Sequence, residues 1–175
     1  MLFPTLFTLA FLLTPPTLAS GPHSLHSRQI FSDPGQEAYL SAHNALRSSH
    51  GASPLSWSEE LASLAKGWAG DCQFRATEGV LREAKYGENI AGATGFFSAG
   101  AFVDVVGAEA ANYDAANPTF SGFTQAVWKN TTEVGCANNR CVNLFPERDG
   151  LATIHVCFYN PAGNVNGFAA ENVQV

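Results

Sequence analysis

A histidine and a glutamate interrupt two helical stripes that are otherwise apolar or aromatic. In the first helical pattern of the chain, His43 lies between Tyr39 and Leu46 on one face. In a later helical pattern, Glu109 shares a face with Val106. Burying an unpaired carboxylate is costly, so we expect these two groups to be neutral, hydrogen-bonded or paired with each other.

Glu88 is a third candidate, because Gly87 and Asn89 on either side of it indicate a turn with unusual backbone geometry. One histidine and two carboxylates form a thin ligand set for catalytic zinc, which usually takes three protein ligands with at least one histidine. From spacing alone, a buried polar network that fixes the packing is favoured over a metal site or an acid–base site.

The elements that must position these residues are helices early in the chain and strands late in it. Periodicity predicts helices over about residues 36–50, 58–72 and 98–114, and strands over 123–129, 134–137 and 153–159. The segment from Gln73 to Ala93 shows neither period and is predicted to be irregular. Helices that cluster first and strands that cluster last indicate a single domain of the α+β class.

The first residues have the pattern of a secretory signal. An apolar run near residues 6–13 and a small-residue site ending at Ala19 predict a signal peptide over residues 1–19. The run is too short to span a bilayer, which needs about 20 apolar residues. Residues 20–34 are rich in Ser, Pro, Gly and His and predict a flexible leader, which leaves residues 35–175 as the domain of a secreted, extracellular protein.

The cysteines, a glycosylation sequon and the net charge describe the compartment and the partners. In an oxidising compartment the four cysteines predict two disulfides, with three connectivities open, and their spacing lacks the paired units of zinc–thiolate sites. Asn130 begins the sequon Asn-Thr-Thr, which predicts N-glycosylation. A net charge of −6 without a basic run argues against nucleic acid and anionic membrane surfaces as electrostatic partners.

Five segments, taken in order, resemble the superfamily of cysteine-rich secretory proteins, antigen five and pathogenesis-related class one proteins, called CAP. They are HNALR (His43–Arg47), YGENIAG (Tyr86–Gly92), VDVVGAEAANYD (Val103–Asp114), FTQAVWKNTTEVGC (Phe123–Cys136) and HVCFYNPAGN (His155–Asn164). The resemblance covers the chain from about Gln36 to Val175 and is nearest to the short fungal secreted members. It implies a three-layer α–β–α sandwich around a central, mainly antiparallel sheet.

The resemblance also implies a shallow cleft of two histidines and two glutamates, which binds a divalent metal in many members. Carried over to this sequence, the first histidine is His43 and the glutamates are Glu88 and Glu109. Gly122 stands where the second histidine would be. This departure predicts a weakened site for zinc or magnesium and a protein that requires no cofactor.

Three amides of the motif segments, Asn44, Asn89 and Gln125, are expected to support the cleft, more as links between helix and strand than as substrate contacts. His155 is expected to be an ordinary strand residue and not a replacement for the missing histidine. The family also implies the disulfides Cys72–Cys141 and Cys136–Cys157.

The resemblance favours a secreted monomer that binds a small hydrophobic lipid, a fatty acid or a sterol, with a role in defence or in host or environmental interaction. The loop before Gly122 is short, so an acyl chain between helices is favoured over a sterol under that loop. A metal-dependent extracellular hydrolase or protease is an alternative, but no nucleophile–base pair is visible and no catalytic residue is predicted. The other alternative is an effector that acts through its surface without a small-molecule ligand.

Overall fold

The central element is a four-stranded sheet with the order β1-β3-β4-β2. A computed structural model describes residues 34–77, 86–145 and 150–175, so the predicted signal peptide and almost all of the predicted leader lie outside the described residues. The strands are β1 (Ser56–Trp57), β2 (Gly87–Thr94), β3 (Glu133–Val142) and β4 (Leu151–Asn160). β4 pairs antiparallel with both β2 and β3, whereas β1 pairs parallel with the start of β3.

Helices cover both faces of this sheet, which gives the predicted α+β architecture. The helices are α1 (Pro34–Ser49), α2 (Glu59–Gly70), α3 (Ala99–Ala108), α4 (Gly122–Ala126) and α5 (Ala169–Asn172). β4 is buried on both faces, because its residues alternate between two hydrophobic clusters. Cys157 and Tyr159 pack with α1 and α3, while Val156 and Phe158 pack with α2.

Two predictions about secondary structure were wrong. The segment predicted as a strand from Phe123 onward begins with α4, a short helix that Ser121 and Thr124 start with a capping box. Part of the segment predicted as irregular is β2, an edge strand rich in glycine and alanine whose conformation comes from pairing with β4 and not from intrinsic propensity.

The third predicted helix ends earlier than its period suggests. α3 stops at Ala108, and the chain continues as a single 3₁₀ turn, Glu109–Asn112. Glu109 is therefore the C-cap of α3 and not a residue in the middle of a helix. This ending turns its carboxylate towards the start of α4, where its Oε2 accepts the backbone N–H of Phe123.

Both disulfides that the family implies are present. Cys136 and Cys157 lie opposite each other in β3 and β4 with a Cα–Cα distance of 4.1 Å, so this bond joins neighbouring strands. Cys72 joins the end of α2 to Cys141 near the end of β3, 69 residues later. Within the chain-entropy model, loops of these two lengths correspond to roughly 3–4.5 kcal/mol of stabilisation for each bond.

None of the helices among residues 34–77, 86–145 and 150–175 combines the length and the apolar composition that a membrane span needs.

Candidate functional site

Glu109, Asn89 and Gly122 meet at the start of α4. A Cβ atom built on Gly122 would lie 3.1 Å from Oε2 of Glu109 and 3.2 Å from Oδ1 of Asn89, so any side chain at this position would enter the site. Asn89 donates from Nδ2 to the carbonyl of Gly122 at 2.9 Å. The N–H of Phe123 donates to Oε2 of Glu109 at 3.1 Å. The carboxylate thus pairs with the positive end of a helix instead of with a histidine.

A chain of hydrogen bonds leads from this site into the core. Nδ2 of Asn89 also donates to the hydroxyl oxygen of Tyr159 at 3.0 Å. The hydroxyl of Tyr159 lies 2.8 Å from Nε2 of His43, and Nδ1 of His43 lies 2.8 Å from the carbonyl of Tyr39. Because a carbonyl can only accept, Nδ1 of His43 carries the proton and Nε2 accepts from Tyr159.

Burial keeps His43 and Tyr159, the two titratable side chains of this hydrogen-bond chain, in their neutral forms. His43 is fully buried, and desolvation lowers its pKa from 6.5 to about 4; the nearby Arg47 acts in the same direction, while the hydrogen bond to Tyr39 partly opposes both. Desolvation likewise raises the pKa of Tyr159 well above its usual value. His43 is therefore a neutral hydrogen-bonding link at physiological pH.

A second chain of the same type lies beside the first, with the residue types exchanged. In the first chain the histidine is on α1 and the tyrosine on β4; in the second, Tyr39 of α1 contacts His155 of β4. Nε2 of His155 donates to the carbonyl of Phe97 at 2.8 Å, so Nδ1 accepts the hydroxyl of Tyr39. Asn138 donates to the same hydroxyl oxygen at 3.3 Å. The two chains fasten α1 to the centre of the sheet.

His155 therefore does not replace the missing histidine at Gly122, in agreement with the sequence-based expectation, but it has a specific role that the sequence did not reveal. Burial lowers the pKa of His155 and raises that of Tyr39 to about 12. The sequence contains a signal for this arrangement, namely two tyrosine–histidine pairs with the same spacing. Tyr39 and His43 are four residues apart on a helix, and His155 and Tyr159 are four residues apart on a strand.

We expect the free energy of unfolding to fall as the pH is lowered from about 6.5 towards 4. Unfolded His43 binds a proton near pH 6.5, whereas the folded protein binds it only near pH 4, so protons favour the unfolded chain within this window. The contribution is complete above 6.5 and, at ~1.4 kcal/mol per pKa unit, its loss is worth roughly 3 kcal/mol. His155 adds to the fall in the same direction.

Urea denaturation of the wild type and of His43→Gln at several pH values between 4 and 7.5 measures this effect. The variant should be less stable at pH 7 and should lose less stability on acidification than the wild type. A variant with the same pH slope as the wild type would show that His43 is not the titrating group. His50→Gln is the matched control, because His50 directly follows α1, packs edge-on against Phe123 and bonds to the carbonyl of Gln174, outside both hydrogen-bond chains.

The structure does not bring His43, Glu88 and Glu109 together, so the predicted joint site is wrong. β2 alternates, which places Asn89 on the face of Tyr159 and Glu88 on the opposite face, with Ile90. The carboxylate of Glu88 accepts the backbone N–H of Thr77 at 3.0 Å.

A divalent metal does not fit the residues that correspond to the family site. Both ring nitrogens of His43 are used in hydrogen bonds, Glu88 faces the other side of the strand and Gly122 has no ligand atom. His43 also lies near the sulfurs of Cys136 and Cys157, with all three ligand atoms within 4.8 Å of one another. Both cysteines are in a disulfide and provide no thiolate, so this group is not a metal site either.

The remaining predicted site residues act as links between elements. Asn44 closes the α1–β1 connection, since its Oδ1 accepts the N–H of Leu55 at 2.7 Å and its Nδ2 donates to the same residue's carbonyl. Oε1 of Gln125, buried in α4, accepts the N–H of Gly163 at 2.8 Å. A Cβ on Gly87 would lie 1.9 Å from that Oε1, so the strand must have glycine there for the glutamine to fit.

Among the open cavities of the described residues, two border α3 or its C-cap Glu109. A small one of about 220 Å³ borders Glu109 and is lined by Glu109, Asn112, Tyr113, Thr119 and Ser121. A larger one of about 390 Å³, here called the α1–α3 groove, runs between two helices. It is lined by Ala42, Ala45, Leu46, Ser49, Val103, Asp104 and Gly107.

A protein-family profile matches this chain from within α1 to near the end of β4. The profile described as Cysteine-rich secretory protein family, CAP, matches residues 40–158. The chain belongs to the CAP family. Pathogenesis-related protein 1 of Arabidopsis thaliana is 38% identical over 137 residues, which cover 74% of this chain and 78% of that protein. A probable pathogenesis-related protein of Arthroderma benhamiae is 36% identical over 143 residues, 75% of this chain and 46% of that one.

Solved CAP-like structures share the fold at low sequence identity. The structure of NaASP2 with Zn²⁺ gives a TM-score of 0.60 at 23% identity and covers 77% of this chain and 83% of that one. MpPR-1i gives 0.55 at 24% identity, with 79% of this chain and 97% of that one covered. These similarities establish the CAP fold, while zinc in NaASP2 is a property of that protein.

Proposed function

We propose that this CAP protein is secreted and binds the acyl chain of a small lipid in the α1–α3 groove. The observation that carries the proposal is an open groove of about 390 Å³ between two helices, lined mainly by small apolar residues. That volume lies within the range of roughly 300–1,000 Å³ that is typical of small-molecule sites. The two disulfides fit the oxidising compartment that secretion implies.

Small side chains create the space between the two helices. Ala42 and Ala45 face it from α1, and Gly107 faces it from α3. A Cβ on Gly107 would lie only 3.1 Å from Cδ1 of Leu46, so a larger residue there would push against the groove wall. A flexible methylene chain can adapt to an open groove lined by small side chains better than a rigid, fused ring system.

The polar residues of the groove favour lipids with an uncharged head group. Ser49 and Asp104 are its polar residues, and neither provides a cation to pair with a fatty-acid carboxylate. The net charge of −6 further disfavours an anionic ligand. We therefore expect a long-chain alcohol to bind at least as tightly as the fatty acid of equal length.

Filling the groove should weaken binding at least tenfold without unfolding the protein. Ala45 is exposed on α1, so Ala45→Trp can occupy the groove from its open side at little cost in stability. Titration with a fluorescent long-chain alcohol and fatty acid should give saturable binding to the wild type and at least a tenfold weaker affinity for the variant, which is ~1.4 kcal/mol.

Ser48→Trp is the matched control, because Ser48 is exposed on the same helix and does not line the groove. Equal affinity of wild type and Ala45→Trp would place the ligand elsewhere, and no saturable binding of alcohol, fatty acid or sterol would reject lipid binding altogether.

We further propose a non-enzymatic, monomeric protein that acts in defence or in interaction with a host or the environment. The relatives named as pathogenesis-related proteins support that role.

A further inference from the structure

An apolar groove surrounds the predicted glycosylation sequon. This Asn130 groove has a volume of about 470 Å³ and lies between the turn after α4 and the chain that leads into α5. It is lined by Trp128, Asn130, Pro161, Ala162, Val165, Phe168 and Asn172. Val165 and Phe168 are 44% and 50% exposed, so two large apolar side chains of the groove face solvent.

The backbone of Asn130 is held rigidly at the edge of this groove. Its N–H donates to Oδ1 of Asn172 at 3.0 Å, and Nδ2 of Asn172 donates to the carbonyl of Phe168 at 2.9 Å. Asn172 is 1% exposed, so this bridge is part of the packed interior. Two hydrogen bonds therefore connect the predicted attachment point to Phe168, the most exposed aromatic residue of the groove.

The rest of the sequon is anchored to the opposite wall. Thr131 is buried, and its hydroxyl donates to the carbonyl of Pro161 at 2.9 Å. Asn130 and Thr132 are both exposed, so the side chain that would carry a sugar is directed to the surface. The attachment point and both walls of the groove are thus fixed relative to one another.

We propose that an N-linked glycan on Asn130 lies in the Asn130 groove, with its first sugar rings against Phe168 and Val165. Sugar rings have apolar C–H faces that can cover aromatic and aliphatic surfaces, while their hydroxyls stay in water. Covalent attachment at the rim gives these rings a high effective concentration over the groove, so weak contacts are sufficient. The inference rests on the proposed secretion, because N-glycans are added to proteins of the secretory pathway.

The experiment uses the full chain expressed in a secreting eukaryotic host. Intact mass before and after enzymatic trimming to a single sugar measures whether Asn130 carries a glycan. Thr132→Ala removes the sequon and Thr132→Ser keeps it, so the two variants form a matched pair at an exposed position. Carbene footprinting then measures the labelling of the peptide that contains Val165 and Phe168 in each protein.

We expect several-fold less labelling of this peptide in the glycosylated wild type and Thr132→Ser than in Thr132→Ala. Labelling of Phe96, which is 87% exposed and does not line the groove, should be the same in all three. The form trimmed to one sugar should keep most of the protection. A glycosylated protein with unprotected Phe168 would overturn the proposed contact. A secreted protein without a glycan would overturn the prediction that Asn130 is glycosylated, and with it the proposal.

Protection that persists in Thr132→Ala and rises with protein concentration would instead assign the groove to a second copy of the chain and reject the glycan. Failure of the lipid titration leaves this result unaffected, because the α1–α3 groove and the Asn130 groove share no lining residue.

Discussion

Replacing Arg47 with methionine is expected to lower the free energy of unfolding by about 4 kcal/mol or more, the largest effect of any single substitution considered. Arg47 is fully buried. Among the residues that the structure describes, its guanidinium is bonded to backbone carbonyls and to no carboxylate. The carbonyls, with distances of 2.7–2.9 Å, are those of Ser53, Ala126, Trp128 and Thr131.

These bonds connect three separate parts of the chain. Ser53 belongs to the α1–β1 connection, Ala126 is the last residue of α4, and Thr131 precedes β3. Burial lowers the pKa of Arg47 to about 10, so the side chain is still charged at neutral pH and completes the carbonyl end of α4. Methionine would fill similar space but would leave buried carbonyls unpaired, each at a cost of roughly 1–3 kcal/mol.

Denaturant unfolding of purified protein measures the loss, and the yield of secreted protein measures it when too little folds. Arg47→Lys should be intermediate, because an ammonium has fewer donors and lacks the planar fork. Arg140→Met is the matched control at an exposed position of β3, with an expected change within about 0.5 kcal/mol. Equal stability of Arg47→Met and Arg140→Met would contradict the role assigned to the carbonyl contacts.

The second large effect is expected for Gly135→Ala, which should destabilise the protein by about 3 kcal/mol. A Cβ on Gly135 would lie 2.2 Å from the backbone nitrogen of Ala62 and 2.6 Å from the carbonyl carbon of Leu61. These atoms belong to the α2 backbone, which cannot turn aside as a flexible side chain can. The substitution must therefore push α2 away from the sheet and disturb the packing of Leu61 against Phe158.

Gly67→Ala is a control that should change the stability in the opposite direction. Gly67 is in α2, and a Cβ added there meets nothing within 4 Å. Alanine should stabilise the helix by about 0.5–1 kcal/mol, because it has the higher helix propensity and restricts the unfolded chain. Thermal unfolding of both variants tests the pair, and a Gly135→Ala protein as stable as the wild type would show that α2 does not approach the sheet so closely.

The buried face of α1 shows how much a local sequence pattern can predict. The helical stripe correctly predicted that Tyr39 and His43 point inward, but it continued to Leu46, whereas the fully buried position is Arg47. A four-residue ridge along α1 satisfies the packing, and the arginine is tolerated there because carbonyls from later segments surround it. The charged guanidinium can be buried only because it bonds to carbonyls that are close in space and distant in sequence.

The sequence by itself determined the α+β class, the start of α2 after its N-cap Ser58, the cysteine count and, through the family resemblance, glycine in place of the second cleft histidine at Gly122. These features depend on residue type, on short-range periodicity and on motifs, all of which are read along the chain. They required no knowledge of which segments become neighbours.

The tertiary structure alone decided which polar residues meet. It separated Glu88 from Asn89 by the alternation of β2, turned Glu109 towards the start of α4, and joined His43 to Tyr159 in the core. Each outcome depends on strand register or on a helix end, and these are set by long-range pairing. A one-residue difference in either would point the side chain to another face, so no local pattern can specify them.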